Sequence, residues 1–159
     1  MVETEPACGH LRQDHRAIEK YLDTLLDALL NLAPERTPEI QAVVRGLQNL
    51  SAIHFAKEEE VFYPRLRPMA ADLLARLEAQ HEEVRELERH VTELLGEPPQ
   101  SPDSRWWNEL RSLGVEFHDR IQHHIVDEED HLFRLAGEHL TLEDQQVLAS
   151  AMTCLQPPR

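Results

Sequence analysis

The chain has 159 residues, ten of them histidine and only five glycine, and a formal net charge of −14. This is enough chain for one domain with a real core, and a composition rich in Leu, Ala, Glu, Gln and Arg favours helix, so the expected class is all-α. The acidic balance argues against nucleic acid and anionic membrane surfaces as partners.

The amino terminus, Met-Val-Glu-Thr-Glu-Pro, has neither a basic n-region nor an apolar h-region, and no window approaches 18 uninterrupted apolar residues. A cytoplasmic protein without a membrane span is expected. Cys8 and Cys154 stand near opposite ends and form no CxxC motif, which points to free thiols, a terminus-to-terminus bridge being the alternative.

Helix one is predicted from about Cys8 to Leu32, with Leu11, Ile18, Leu22, Leu25 and Leu29 on one stripe and His15 between Leu11 and Ile18. Thr37-Pro38-Glu39 supplies an N-cap, a first-turn proline and a first-turn acid for helix two. That helix is expected to end or kink at about Tyr63, because Pro64 removes a donor and clashes with the preceding turn, and Pro68 reinforces the break. Helix three then runs from about Met69 to Leu95, with His81 between Leu77 and Val84 and with Gly96 as its C-cap. Glu97 to Ser104 reads as a loop. Helix four spans about Arg105 to Ala136, and Thr141-Leu-Glu-Asp144 resembles a capping-box start for a short helix over about 142–155.

Four helices of about 25 to 30 residues, roughly 40 Å each, joined by short connections predict an up-down-up-down four-helix bundle over about 8–136. With the additional C-terminal helix it makes a single domain over 1–159. Within it the sequence repeats. His54-Phe-Ala-Lys-Glu58 is echoed by His124-Ile-Val-Asp-Glu128, and Leu11-xxx-His15-xx-Ile18 by Leu77-xxx-His81-xx-Val84. Each His/Glu pair, four residues apart, projects from successive turns of one helix toward one spot. All of these residues interrupt apolar stripes rather than lie on polar faces. Two buried carboxylates without a compensating cation would cost several kcal/mol each, so the pattern asks for a metal. Superposing the two halves brings His15, His54, His81 and His124 with Glu58 and Glu128 to one level of the bundle.

With those residues in place, the chain resembles the hemerythrin-like family, or HHE cation-binding domain. The likeness runs from about His10 to Leu135, through Asp14-His15-Arg16, His54-Phe55-xx-Glu58-Glu59 with Phe62-Tyr63-Pro64, Gln80-His81-Glu82, and His124-Ile125-xx-Glu128-Glu129 with Leu132-Phe133. The resemblance implies a bundle-core pair of irons bridged by carboxylates and an oxo or hydroxo group. Carried over, His15, His54, His81 and His124 would be terminal ligands and Glu58 and Glu128 the bridges. By ligand type Mn or Zn would fit as well. Oxygen-carrying hemerythrins have a second helix-three histidine one turn beyond the first, and here that position is Arg85. The resemblance is therefore to the members associated with nitric oxide, oxidative stress and iron handling, with O₂, NO or peroxide as the small ligand.

Other residues are read more plainly. His131, seven residues beyond His124, is placed outside the ligand set, and Arg85 is either a surface residue or an anion-attracting neighbour of the site. Glu59 and Glu129 are expected to face water, and Tyr63 and Phe133 to serve packing. His10, His90, His118 and His123 lie off the stripes of their helices. Two further functions stay open: a di-iron enzyme turning over NO or peroxide, and a zinc-binding or metal-free structural or interaction bundle. No protein partner is indicated.

Overall fold

Each His/Glu pair is followed by a break in helical regularity, and these breaks, rather than the prolines, shape the architecture. The computed structural model describes residues 4–155. Residues 1–3, on which part of the amino-terminal reading rests, and 156–159, the end of the expected domain, lie outside them. The elements are α1 (Pro6–Leu30), a 3₁₀ turn (Pro34–Arg36), α2 (Thr37–Lys57), a π-helical turn (Glu58–Phe62), α3 (Tyr63–Gly96), α4 (Ser104–Asp127), a second π-helical turn (Glu128–Leu132), α5 (Phe133–His139) and α6 (Leu142–Thr153). Among the described residues there is no strand, as the composition requires.

The expected stop at Pro64 does not occur. The π turn interrupts the i−4 ladder just before Pro64, which falls in the first turn of α3 where a missing donor costs little. The chain stays helical past Pro68, and the real kink comes at Ala70 (φ −148°, ψ 39°). The second π turn has Arg134 at the place corresponding to Pro64, so proline is not what widens these turns. Both begin at the glutamate of an HxxxE pair.

Two caps also differ from expectation. Thr37 is already helical (φ −54°, ψ −46°) because the 3₁₀ turn runs straight into α2, and its side chain caps nothing. Gly96 is the last helical residue and has no positive φ. Thr141 and Asp144 do form the expected capping box, and Asp103 caps α4 by accepting from the Trp106 N–H at 3.0 Å.

α1 packs against α2 and α4, and α3 against α4 and α2, while α6 lies along α1. Gln145 on α6, fully buried, accepts hydrogen bonds from the Ala7 and Cys8 N–H groups at 3.0 and 3.2 Å, two of the donors an α-helix leaves unpaired at its start. Cys8 is buried beside it and Cys154 is exposed, and both are free thiols. Among the described residues no helix is long and apolar enough to cross a membrane.

The apolar interior is divided in two. One cluster holds Ile18, Leu22, Leu47, Val84, Phe117 and Ile121, and the other Leu11, Phe62, Leu66, Leu77, Leu132 and Met152. Leu11 and Ile18 thus belong to different clusters with His15 between them, and so do Leu77 and Val84 on either side of His81. A buried polar layer crosses the bundle at that level.

Candidate metal centre

The polar layer contains the six residues singled out by the repeat. His15, His54, His81, His124, Glu58 and Glu128 are all buried, with at most 2 % of their surface exposed. Their donor atoms form two groups, His15, His54, Glu58 and Glu128 in one and Glu58, His81, His124 and Glu128 in the other, with all atoms of a group within 4.8 Å of one another. The glutamates belong to both because each carboxylate is divided between them. Glu58 Oε1 lies 2.5 Å from His54 Nε2 and its Oε2 lies 2.8 Å from His81 Nε2. Glu128 Oε2 lies 3.1 Å from His15 Nε2 and its Oε1 lies 3.2 Å from His124 Nε2.

An outer ring orients the imidazoles. His54 Nδ1–H donates to Asp14 at 3.1 Å, and Lys57 donates to the same oxygen at 2.9 Å. His81 Nδ1–H donates to Glu59 at 2.7 Å, and Arg85 holds that carboxylate from outside. Glu129, paired with Arg16, faces His15 Nδ1 at 3.6 Å, longer than a hydrogen bond. His124 Nδ1–H donates to Gln80 Oε1 at 2.8 Å, and the Gln80 amide nitrogen donates to Asp127, which fixes the orientation of the amide.

This ring follows the same twofold repeat. Asp14 and Gln80 each precede a histidine of the cluster and support the His of the HxxxE pair on another helix. Glu59 and Glu129 each follow the glutamate of an HxxxE pair and support the solitary histidine. The expectation that Glu59 and Glu129 face water is therefore wrong. One position on from the ligand glutamate, Glu59 meets the outer nitrogen of His81 and Glu129 faces that of His15 from the neighbouring helix. Tyr63 is likewise more than packing, because its hydroxyl enters the cluster and donates to Glu128 Oε1 at 2.5 Å. Its repeat counterpart Phe133 does pack, stacked on His15 with ring centroids 5.6 Å apart. His131 is exposed and pairs with Asp127, outside the cluster. Arg85 is an outer neighbour of the site, bound to Glu59 and lying over the Phe55 ring that stacks on His81.

These groups shift one another's protonation. Burial disfavours the charged form of His54, but the Glu58 carboxylate and then Asp14 overcome it and raise its pKa to about 10. His124, buried in the same way and facing Glu128, is raised to about 9. Burial would push the Glu58 carboxyl up, yet His54, His124 and His81 hold it well below the ordinary range. For Glu128, burial and the Glu58 charge both push up, and His124 and His15 outweigh them. The hydrogen bond from His81, with Arg85 behind it, brings Glu59 down to about 2.

The donor set fits a cation. His54, His81 and His124 each give an Nδ1 proton outward and turn Nε2 into the layer, where His81 and His124 face each other at 3.1 Å and His54 faces His15 Nε2 at 3.0 Å. Glu58 Oε1, buried, has no hydrogen bond of proper geometry although His54 Nε2 is close. Nitrogens and carboxylate oxygens that converge in a dry interior need something positive between them, either protons on His54 and His124 or a cation that displaces those protons. The family model for the hemerythrin HHE cation binding domain matches residues 9–136. The chain belongs to the hemerythrin family. Comparison with curated proteins gives no match. In this hemerythrin-family chain the matched stretch contains all six residues of the cluster and the whole outer ring, while α6 lies beyond it.

Access from outside is narrow. A groove of about 500 Å³ lined by Glu59, Arg67, Glu78, Glu82 and Arg85 approaches the His81 side, and Glu59 stands between groove and imidazole. A larger groove, about 680 Å³, runs along the outer face of α4 and is lined by none of the cluster residues. Removing the Glu59 carboxylate in Glu59→Ala should weaken metal binding about 10- to 100-fold with the fold retained, the usual consequence of losing a partner behind a ligand histidine. Competition of the loaded protein with a chelator of known affinity measures this, and unchanged affinity would return Glu59 to the solvent-facing role.

Proposed function

We propose that the chain is one hemerythrin-like domain over residues 1–159, an up-down-up-down bundle holding two iron ions and binding or responding to a small ligand such as O₂, NO or peroxide. His15 and His54 hold one ion, His81 and His124 the other, and Glu58 and Glu128 lie across both. The reading is carried by the pairing of inward ring nitrogens with divided carboxylates: each glutamate places one oxygen in each group. One tetrahedral ion uses about four protein donors, whereas eight atoms converge here in two sets.

By donor type the sites suit Fe, Mn or Zn, and iron is preferred for the family likeness. Bound iron supplies redox chemistry and coordination positions for a diatomic or peroxide. The protein's own residues fix the ligand geometry, keep bulk water out with the two apolar clusters, and accept or release protons as the metal enters. The six residues would offer four donors to each ion, and bound iron would supply the further positions for a small ligand. A role in stress response or iron handling in the cytoplasm accords with this site and with two unbridged thiols.

Metal analysis of the purified protein, together with optical spectra of the reduced form before and after O₂ or NO, tests the proposal. The expected result is about two irons per chain and a spectrum altered by NO. A colourless zinc protein, or a stoichiometry near one at saturation, refutes it. Metal uptake should also release protons, because His54 and His124, raised to about 10 and 9, carry protons at neutral pH until a cation displaces them. A weakly buffered solution of metal-free protein should therefore acidify by about two protons per chain on loading. No acidification would mean that the nitrogens are not the ligands.

A further inference from the structure

Ser51 is buried on α2, with 3 % of its surface exposed, and its hydroxyl oxygen has no hydrogen-bond partner among the described residues. A hydroxyl within a helix can bond the carbonyl four residues back. Thr24 and Thr153 do so in this chain, donating to the Lys20 and Ala149 carbonyls at 3.1 and 2.9 Å, and both are exposed. The Ser51 hydroxyl, shut away from water, does not. Leaving a buried hydroxyl unmatched costs stability, so the position asks for a partner.

Packing does not explain a serine here. Ile18, Ser51 and Phe55 flank the polar layer on the side of the Ile18 cluster in one half of the repeat, and Val84, Ile121 and Ile125 match them in the other. All six are buried, and all but Ser51 are apolar. Ser51 also stands near the metal centre. Seven residues before Glu58, it lies within about 20° of that carboxylate around α2 and about one turn from His54. The far side of the layer is closed by rings, since Tyr63 stacks on His81 and Phe133 on His15. On the near side Phe55 covers the other two imidazoles, stacked on His81 with centroids 3.8 Å apart and edge-on to His124 at 5.7 Å. By the repeat, the place of that ring over His15 and His54 falls to the smaller Ile125. The less crowded quarter of the centre is therefore the near side of the His15/His54 pair.

We infer that Ser51 is the hydrogen-bond donor to the small ligand of this centre, its hydroxyl proton shared with an oxygen or nitrogen atom of a diatomic molecule or peroxide held at the His15/His54 position on the side of the Ile18 cluster. The inference rests on the metal and small-ligand reading above. It makes the two halves unequal, because Ile121 offers no donor at the matching place. A charged acceptor takes a hydrogen bond more strongly than a neutral one, so the hydroxyl favours an anionic ligand such as hydroperoxide over a neutral diatomic.

The experiment loads the full-length chain with iron, reduces it and adds NO, taking infrared spectra of the N–O stretch in H₂O and D₂O and following NO release with a trapping agent. In the parent one N–O band is expected to shift on deuteration, because the hydroxyl proton is exchangeable. Ser51→Ala should lose that shift and release NO about 2- to 10-fold faster, the effect of one lost hydrogen bond, while still holding about two irons. Ser51→Thr, which keeps the hydroxyl, should restore both. Metal-free Ser51→Ala should melt no lower than the metal-free parent, since the hydroxyl it lacks has no partner there. A lower melting temperature would make the hydroxyl structural and overturn the inference. If the substitutions spoil folding, the parent alone decides, because an NO adduct with no deuteration shift overturns the role of Ser51. Bound NO whose release is unchanged in Ser51→Ala overturns it too and leaves the small-ligand reading intact. A parent that holds two irons and takes up no NO overturns that reading, and the inference with it.

Discussion

Glu128→Ala is expected to retain about one metal ion per chain or fewer, where the parent binds about two. The substitution removes one oxygen from each group, since Glu128 Oε2 faces His15 and Oε1 faces His124. It also removes half of the buried negative charge that offsets two cations, so the surviving site loses charge balance as well as a donor. Glu58→Ala should behave alike, because that carboxylate is divided between His54 and His81 in the same manner. The adjacent Glu129 provides the control. It faces the outer nitrogen of His15 at 3.6 Å, so Glu129→Ala should still saturate with about two ions, at reduced affinity. Inductively coupled plasma analysis after exhaustive loading and desalting separates the cases. Two ions retained by Glu128→Ala would show that its carboxylate is not shared between metals.

That division of labour was partly legible in the sequence. The six cluster residues stand out because each interrupts an apolar stripe, and a charged or polar side chain on such a stripe has nowhere to go but inward. The outer ring could not be read from an ideal helix. At 100° per residue Glu59 and Glu129 point to the side of the ligand glutamates before them, and whether that side meets water or the outer nitrogen of a histidine is decided by how α3 and α1 pack beside the π turns. The turns leave no distinct mark in composition, since one precedes a proline and the other does not. A signal was available in the repeat itself, where Glu58-Glu59 matches Glu128-Glu129 and Tyr63 matches Phe133, and a doublet that recurs in both halves is poorly explained by solvation. The prolines misled for a related reason. Pro64 falls where the regular ladder is already open, so the break expected there moves on to Ala70, beyond Pro68. Gln80 shows the same limit, because its equivalence to Asp14 is visible in sequence while its exchange of a charged support for an amide becomes meaningful only beside Asp127 and His124.

Stripped of metal, the protein should melt ~10 °C or more below its loaded form near neutral pH, because a metal that binds only the folded chain adds its binding free energy, a few kcal/mol at about 100- to 1,000-fold excess over Kd, to stability. The difference should widen as pH rises. In the metal-free chain His54 and His124 are raised from an ordinary value of 6.5 to about 10 and about 9. Their contribution to stability is therefore complete below about pH 6.5 and is lost as pH climbs through those values, because the protonated imidazoles are what the buried glutamates hold. Glu58 and Glu128, lowered from 4.5, contribute above that value and lose their contribution as pH falls through their folded values. Metal-free protein should thus be most stable between about pH 5 and 6.5 and weaken steadily above it. The loaded form moves the other way, since protons and metal compete for the same Nε2 lone pairs and raising pH favours the metal. Melting curves of both forms from pH 5 to 9 at fixed ionic strength measure the gap. A gap that stays constant or narrows with rising pH would mean that the metal is not held by these histidines, whatever its stoichiometry.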